Sequence, residues 1–125
     1  LITGGSSGIG LEISKKFANN GFSICWVSLF EEEVKEAKAE LLQTNPDTTI
    51  HYLIQDLSKE EGAKNVLDWV QSNNFDIDVL VNNAGYGLYG AIEEVSLSEL
   101  RANFEVNFFK NASDCYRQNL PELYL

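Results

Sequence analysis

The sequence contains no methionine, a single histidine and only two cysteines, and its nine lysines and arginines face nineteen aspartates and glutamates. Each scarcity excludes something. A net charge of −10 argues against nucleic acid or an anionic membrane surface as the main partner, because both require a basic footprint. It leaves room for a small anion held by backbone amides. No run approaches the ~18 apolar residues of a membrane span, and no charged-then-apolar leader opens the chain. Cys25 and Cys115 stand far apart inside apolar patterns, which fits reduced, buried thiols in a cytoplasmic protein better than a disulfide. His51 is isolated in a strand pattern, and no cluster of Cys, His and acidic residues has metal-ligand spacing. No metal is expected. Without methionine, Leu1 is not an initiator. The opening "LIT" reads as the end of a strand and the final "NLPELYL" as the approach to another. The expectation is therefore one domain, residues 1–125, truncated at both ends.

What is present is ordinary for a soluble globular domain: 125 residues, 44% hydrophobic and 22% charged. Leu1–Ile2 reads as a strand end running into the glycine turn "TGGSSGIG" (3–10). Ile9, Ile13 and Phe17 recur at helical spacing, and Asn20–Gly21 is a stop signal. "FSICWV" (22–27) has the length of a buried parallel strand. A charged helix over 31–43 carries Val34, Ala37 and Leu41 on its inner side, and "NPD" (45–47) turns the chain into a third strand, Ile50–Ile54. Ser58 with Glu61 forms a capping-box pattern before a helix with Ala63, Val66, Leu67 and Val70 inward. "DVLV" (78–81) is a fourth strand, followed by the second glycine-rich loop, "NNAGYGLYG". Ser96 with Glu99 opens a long helix towards Leu120–Pro121.

This alternation specifies an α/β fold with a parallel sheet covered by helices on both faces. Right-handed crossovers give a doubly wound, Rossmann-type sheet with visible strand order 3-2-1-4. Its ligand crevice falls where the order reverses, between strands one and four. Both glycine-rich loops lie at the carboxyl ends of those strands.

A glycine turn leading from a strand into a helix leaves unpaired N–H groups at the positive end of the helix dipole, where a phosphate binds without a basic side chain. Gly4 permits the tight turn, Gly8 permits close approach of a pyrophosphate, and Gly10 allows helix and strand to pack closely. Ser6 and Ser7 can add hydroxyl donors. The spacing is G-x-x-x-G-x-G, not the commoner G-x-G-x-x-G.

"TGGSSGIG", "QDLS" (55–58) and "NNAG" (82–85), in this order and spacing, resemble the short-chain dehydrogenase/reductase family of NAD(P)-dependent oxidoreductases, over the whole chain. The resemblance implies that Gly4, Ser6, Ser7, Gly8 and Ile9 form the pyrophosphate and ribose loop. It implies that Asp56 and Leu57 contact the adenine ring; read without the family, Asp56 is a turn residue at a helix entry. Asn83, Ala84 and Gly85 would pass along the adenine ribose, whereas Asn82 would tie strands together through its amide. Asn107 shares a helical face with Phe104, Phe108 and Cys115, and burying its amide without partners costs roughly 1–3 kcal/mol. It is either a satisfied core asparagine or, as the resemblance implies, the asparagine after "FEV" that holds a water in the proton relay to a catalytic lysine.

The sequence departs from the family pattern in two ways. Rossmann domains that bind NAD carry an acid roughly twenty residues after the last glycine; here Ser28, Leu29 and Phe30 occupy those positions, and Glu31 begins the helix. The arginine that NADP-using members often carry is also absent at Leu29, as is the basic residue often found at Ser7. Small Ser28 leaves room for a 2′-phosphate, so NADP is favoured over NAD. Lys110 stands where the family often has a small residue. Secondly, the family's catalytic serine and Tyr-x-x-x-Lys pair fall beyond the fourth helix, and none of Tyr52, Tyr86, Tyr89, Tyr116 and Tyr124 is followed by lysine four residues later.

The functional expectation is the cofactor-binding half of an oxidoreductase that moves a hydride between a nicotinamide and a small-molecule carbonyl or secondary alcohol. By resemblance, the full-length protein would be a homodimer or homotetramer. The alternatives are a non-catalytic dinucleotide-binding or sensing protein on the same fold, and a flavodoxin-like nucleotide fold with similar loops.

Overall fold

The structure is a computed structural model that describes residues 1–91 and 93–109. Cys115, Lys110 and the expected run of the last helix towards Leu120 lie outside the described residues. The order is β1 (Ile2–Thr3), α1 (Gly8–Asn19), β2 (Ile24–Ser28), α2 (Glu31–Thr44), β3 (Ile50–Ile54), α3 (Gly62–Ser72) and α4 (Leu97–Phe104), the last continuing into a π-helical turn, Glu105–Phe109.

The three strands form a parallel sheet in the order β1-β2-β3, with Ile2 opposite Trp26 and Trp26 opposite Tyr52. All five residues of β2 are buried, as expected of a central strand covered on both faces. Ile2, Ile24, Trp26 and Ile50 form one core with Leu11 and Ala18 of α1 and Val34, Ala37 and Leu41 of α2. Strand alternation points Cys25 and its register partner His51 to the other face. There the His51 ring lies 4.5 Å from Phe75, which meets Trp69 of α3 edge-on at 5.1 Å. The inner residues expected for α3 (Ala63, Val66, Leu67 and Val70) are all buried.

Four expectations need correction. The segment 78–81 does not form a full strand: it makes a single parallel bridge, Ile2 to Val81, on the side of β1 away from β2. Thr3 N–H donates to Val81 O at 3.0 Å and Val81 N–H to Leu1 O at 2.8 Å. Secondly, the inner line of α1 is Gly10, Ser14 and Ala18 with Leu11; Ile9 is 74% exposed, while Ile13 and Phe17 only flank the core. Small residues four apart let this helix lie close over Trp26. Thirdly, the Ser58–Glu61 capping box is not formed. Glu61 is the N-cap of α3 without a side-chain bond, because Ser58 donates to Asp56 instead. Fourthly, Phe104 and Phe108 are 52% and 65% exposed and Asn107 is exposed, while Val106 is buried. The π turn adds a residue to the helical repeat and shifts the inward position.

Elsewhere the local signals hold. Ser96 and Glu99 form the reciprocal capping box of α4, and α1 ends at Asn19 just before Gly21, whose φ is +82°. Among the described residues no helix is long and apolar enough to cross a membrane.

Candidate functional site

The first turn of α1 is built without a cap. Its N-cap, Ser7, is extended (φ −149°) and makes no side-chain capping bond, and no acid stands in the first turn. By contrast, α2 has Glu31, Glu32 and Glu33 there, and α4 has its capping box. The leading N–H groups of an α-helix have no intrahelical acceptor, so the start of α1 presents unspent donors at the positive end of its dipole. Gly8 sits at this point with φ +50°, and a Cβ built on it would meet nothing within 4 Å.

The turn is held from beneath. A Cβ on Gly10 would lie 2.1 Å from Gly4 O and 2.6 Å from Asn83 Nδ2, so the helix can approach the turn only with hydrogen there. Gly5 is under the same constraint, since its Cβ would fall 2.1 Å from Cδ1 of the fully buried Trp26.

The two glycine-rich loops are joined by Thr3 and Asn83. Thr3 Oγ1 accepts the N–H groups of Asn83 and Ala84, both at 3.0 Å. Asn83 Nδ2 donates to Thr3 O at 3.0 Å and Gly4 O at 3.2 Å. The tying amide expected at Asn82 is thus supplied by Asn83. Along an extended segment neighbouring side chains point opposite ways, and here the second of the pair faces β1.

A cleft of about 510 Å³ opens beside this junction. The first loop contributes Gly4, Ser6 and Ser7. The end of β2 and the start of α2 contribute Val27, Ser28, Leu29, Phe30 and Glu33. Gln55, Asp56, Leu57 and Ser58 follow β3, and Ala84, Gly85, Tyr86 and Val106 close the far wall. Of the residues singled out in the sequence, Gly4, Ser6, Ser7, Ser28, Asp56, Leu57, Ala84 and Gly85 therefore meet around one cavity. Gly10 and Asn83 stand behind the wall as packing and tying residues, and Ile9 projects outward.

Two polar groups on the cleft stand out. Ser28 is buried, and its Oγ has no hydrogen-bond partner among the described residues. A buried hydroxyl of this kind calls for an acceptor or donor from elsewhere. Asp56 Oδ1 accepts from Ser58 Oγ at 2.7 Å and from Ser58 N–H at 2.9 Å. The Ser58 hydroxyl, opposed by burial and helped by the Ser58 amide and by Lys59 at 3.7 Å, holds the Asp56 carboxyl below its ordinary range. It is ionised near neutral pH.

Asn107 stands behind Tyr86. Its Oδ1 accepts the Tyr86 N–H at 2.9 Å and its Nδ2 donates to Tyr86 O at 2.9 Å. The partners expected for a buried amide are therefore met, but by a loop backbone at the surface and not inside an apolar stripe. Sequence reasoning missed Thr3, Gly5, Glu33, Tyr86 and Asn103. Asn103 was accessible as the residue one turn before Asn107.

A family model described as short chain dehydrogenase matches residues 1–124. The chain is 34% identical to xanthoxin dehydrogenase of Arabidopsis thaliana over 129 aligned positions, covering 98% of this chain and 45% of that protein. It is 32% identical to an NADPH-dependent 3-dehydrocapnine reductase of Ornithobacterium rhinotracheale, covering 87% and 38%. Among solved structures, L-sorbose reductase of Gluconobacter frateurii, complexed with NADPH and L-sorbose, is 31% identical. It superposes with a TM-score of 0.75 over 87% of this chain and 41% of its own. An alcohol dehydrogenase of Thermococcus sibiricus complexed with 5-hydroxy-NADP is 30% identical, with a TM-score of 0.74, 87% of this chain covered and 46% of its own. The chain spans less than half the length of these relatives.

Proposed function

Because this chain belongs to the short-chain dehydrogenase/reductase family, we propose that it is the cofactor-binding half, residues 1–125, of a cytoplasmic NAD(P)-dependent oxidoreductase acting on a small carbonyl compound or secondary alcohol. The bound nicotinamide supplies or accepts the hydride. The residues of this chain bind and orient it. The observation that carries the reading is the uncapped start of α1, open at Gly8 and set beside a cleft lined by Ser6, Ser7 and the unpartnered hydroxyl of Ser28.

In this reading the amides of the turn, with Gly4, Ser6, Ser7, Gly8 and Ile9, receive the diphosphate, and Gly10 keeps the helix close. The ionised Asp56 accepts from the adenine amino group while the Leu57 backbone lies along the ring. Ala84 and Gly85, backed by Asn83, let the adenine ribose rest against the end of the fourth segment. Ser28 Oγ gains its missing partner at the ribose 2′ position. Asn107 is assigned, from the family resemblance, to holding a water of the proton relay to a catalytic lysine. NADP is the preferred cofactor: no acid occupies the end of β2, and relatives at 30–31% identity were solved with NADPH or an NADP derivative. Association into a homodimer or homotetramer follows the family pattern.

The test is a fluorescence titration of the natural full-length gene product with NADPH and NADH, followed by a carbonyl and alcohol screen. Saturable binding of NADPH with turnover of at least one carbonyl is expected. Binding of neither dinucleotide overturns the proposal.

A further inference from the structure

We infer that Asn103 is a positioning residue for the dinucleotide cleft, acting through Asn107 and the Tyr86 peptide. This rests on the reading of the cleft given above. The segment from Gly85 to Gly90 forms no strand or helix, yet Gly85 and Tyr86 make the wall of the cleft opposite the first glycine loop. Something other than a ladder must fix that wall. The side-chain amides of the last helix do so.

Asn103 Nδ2 donates to Tyr86 O at 2.6 Å, and Asn107 Nδ2 donates to the same oxygen at 2.9 Å. Asn107 Nδ2 also lies 3.3 Å from Asn103 Oδ1, and Asn107 Oδ1 accepts the Tyr86 N–H. Asn107 thus pairs with both polar groups of one residue, as a strand partner would, while Asn103 holds the carbonyl from a second direction and fixes the rotation of the Asn107 amide. The fit is close, since a Cβ on Gly85 would stand 2.9 Å from Asn107 Oδ1.

The two asparagines straddle the change from α to π geometry, Asn103 in α4 and Asn107 in the turn after it. Residues four apart share a helical face, and this pair uses that neighbourhood to grip a loop. Val106, between them in sequence, is buried and lines the same cleft. A shift of the Tyr86 peptide therefore moves the wall that a bound dinucleotide would touch. Asn103 itself does not line the cleft, so its effect passes through the peptide it holds.

The experiment compares Asn103→Leu and Asn103→Gln with the parent in the natural full-length protein, well below the melting temperature of each. Hydrogen exchange by mass spectrometry over 82–91 reads the loop directly, and NADPH and NADH titrations read the cleft. For Asn103→Leu, exchange at the Tyr86 amide should quicken about fivefold and dinucleotide affinity should weaken about fivefold, the scale of one lost hydrogen bond. The KM for the dinucleotide should rise in step. Asn103→Gln should restore affinity to within twofold. Should Asn103→Leu fail to fold, Asn103→Asp keeps the shape, loses the donated bond to Tyr86 and carries the same expectation. Unchanged exchange, or unchanged affinity with only a lowered melting temperature, overturns the positioning role. A parent that binds neither dinucleotide, while its exchange still responds to Asn103→Leu, overturns the cofactor reading of the cleft and this role with it.

Discussion

The indole N–H of Trp26 donates to Ser14 Oγ at 2.8 Å, inside the core and beneath the first glycine turn. The Ser14 hydroxyl in turn lies 2.8 Å from Gly10 O and 3.3 Å from Gly5 O. A strand residue and a helix residue, both fully buried, thereby hold the Gly5 carbonyl of the turn and the Gly10 carbonyl of the first turn of α1 on the inner side. The N–H groups at the helix start are left facing the other way. The turn is held by what lies under it, and its outer side is left open at Gly8.

Gly5→Ala should therefore be destabilising although Gly5 has no positive φ. The added methyl falls on the indole, and Trp26 has nowhere to move. A loss of about 1–3 kcal/mol is expected from overpacking of this kind, measured as a shift of the urea midpoint of the full-length protein. Gly5→Ala with Trp26→Leu should recover part of the loss, since touching residues couple. Equal stability of Gly5→Ala and parent would show that the indole is not a fixed floor.

Thr3→Val tests the junction between the two loops. Valine keeps the shape and removes the oxygen that accepts both the Asn83 and Ala84 amides. Partly buried amides that lose an acceptor cost about 1–3 kcal/mol. Thermal melts should show the loss, and titration should show weaker NADPH binding, because the far wall of the cleft is registered to β1 through this hydroxyl. Unaltered binding in a destabilised variant would separate the junction from the cleft.

The lowered pKa of Asp56 gives a pH dependence with a definite sign. A carboxyl whose folded pKa lies below its unfolded value near 4 stabilises the folded state above that value. The contribution is lost as pH falls through the folded pKa. Ser58→Ala removes the largest cause, the hydroxyl bond, and should move the Asp56 titration upward, towards the ordinary 3.8. NMR titration of the Asp56 carboxyl carbon reads this directly. The same midpoint in parent and variant would mean that Ser58 does not hold the carboxylate in solution.

Much of this was legible in the sequence where a single physical signal dominates. The stripe Val34–Ala37–Leu41 is apolar at helical spacing and is buried, and Ser96–Glu99 pairs as a capping box because nothing nearby competes. The same pattern at Ser58–Glu61 failed because Asp56, two residues upstream, captures Ser58 first. Hydrophobic periodicity favoured Ile9 for the inside of α1, yet the buried line runs through Gly10, Ser14 and Ala18. Close approach to the Gly4 carbonyl at Gly10 and to Trp26 at Ser14 selects for smallness, which an apolarity scale does not read. Asn82 and Asn83 are chemically identical, so only the facing of the chain beside β1 decides which one ties the loops. The turn at Glu105–Phe109 leaves no compositional mark, so the exposed setting of Asn107 was beyond reach, though its need for partners was not.

Glu33 bears on the choice between NADP and NAD. It lines the cleft from the first turn of α2, together with Ser28 at the end of β2. A 2′-phosphate would bring about −1.5 to −2 charges into that region, whereas a 2′-hydroxyl brings none. If NADP is the cofactor, Glu33 works against it, and Glu33→Gln should tighten NADPH binding about threefold to tenfold while leaving NADH within twofold. An interaction between partly solvated charges is of that order. The gain should shrink as salt is raised, because the carboxylate is near solvent and the range of its interaction, a Debye length of about 10 Å at 0.1 M, shortens with added salt. The opposite pattern, weaker NADH with unchanged NADPH, would mean that the carboxylate receives the ribose 2′-hydroxyl. Glu33 would then do from the helix what the missing acid at Ser28 does in other Rossmann domains, and the preferred cofactor would be NAD.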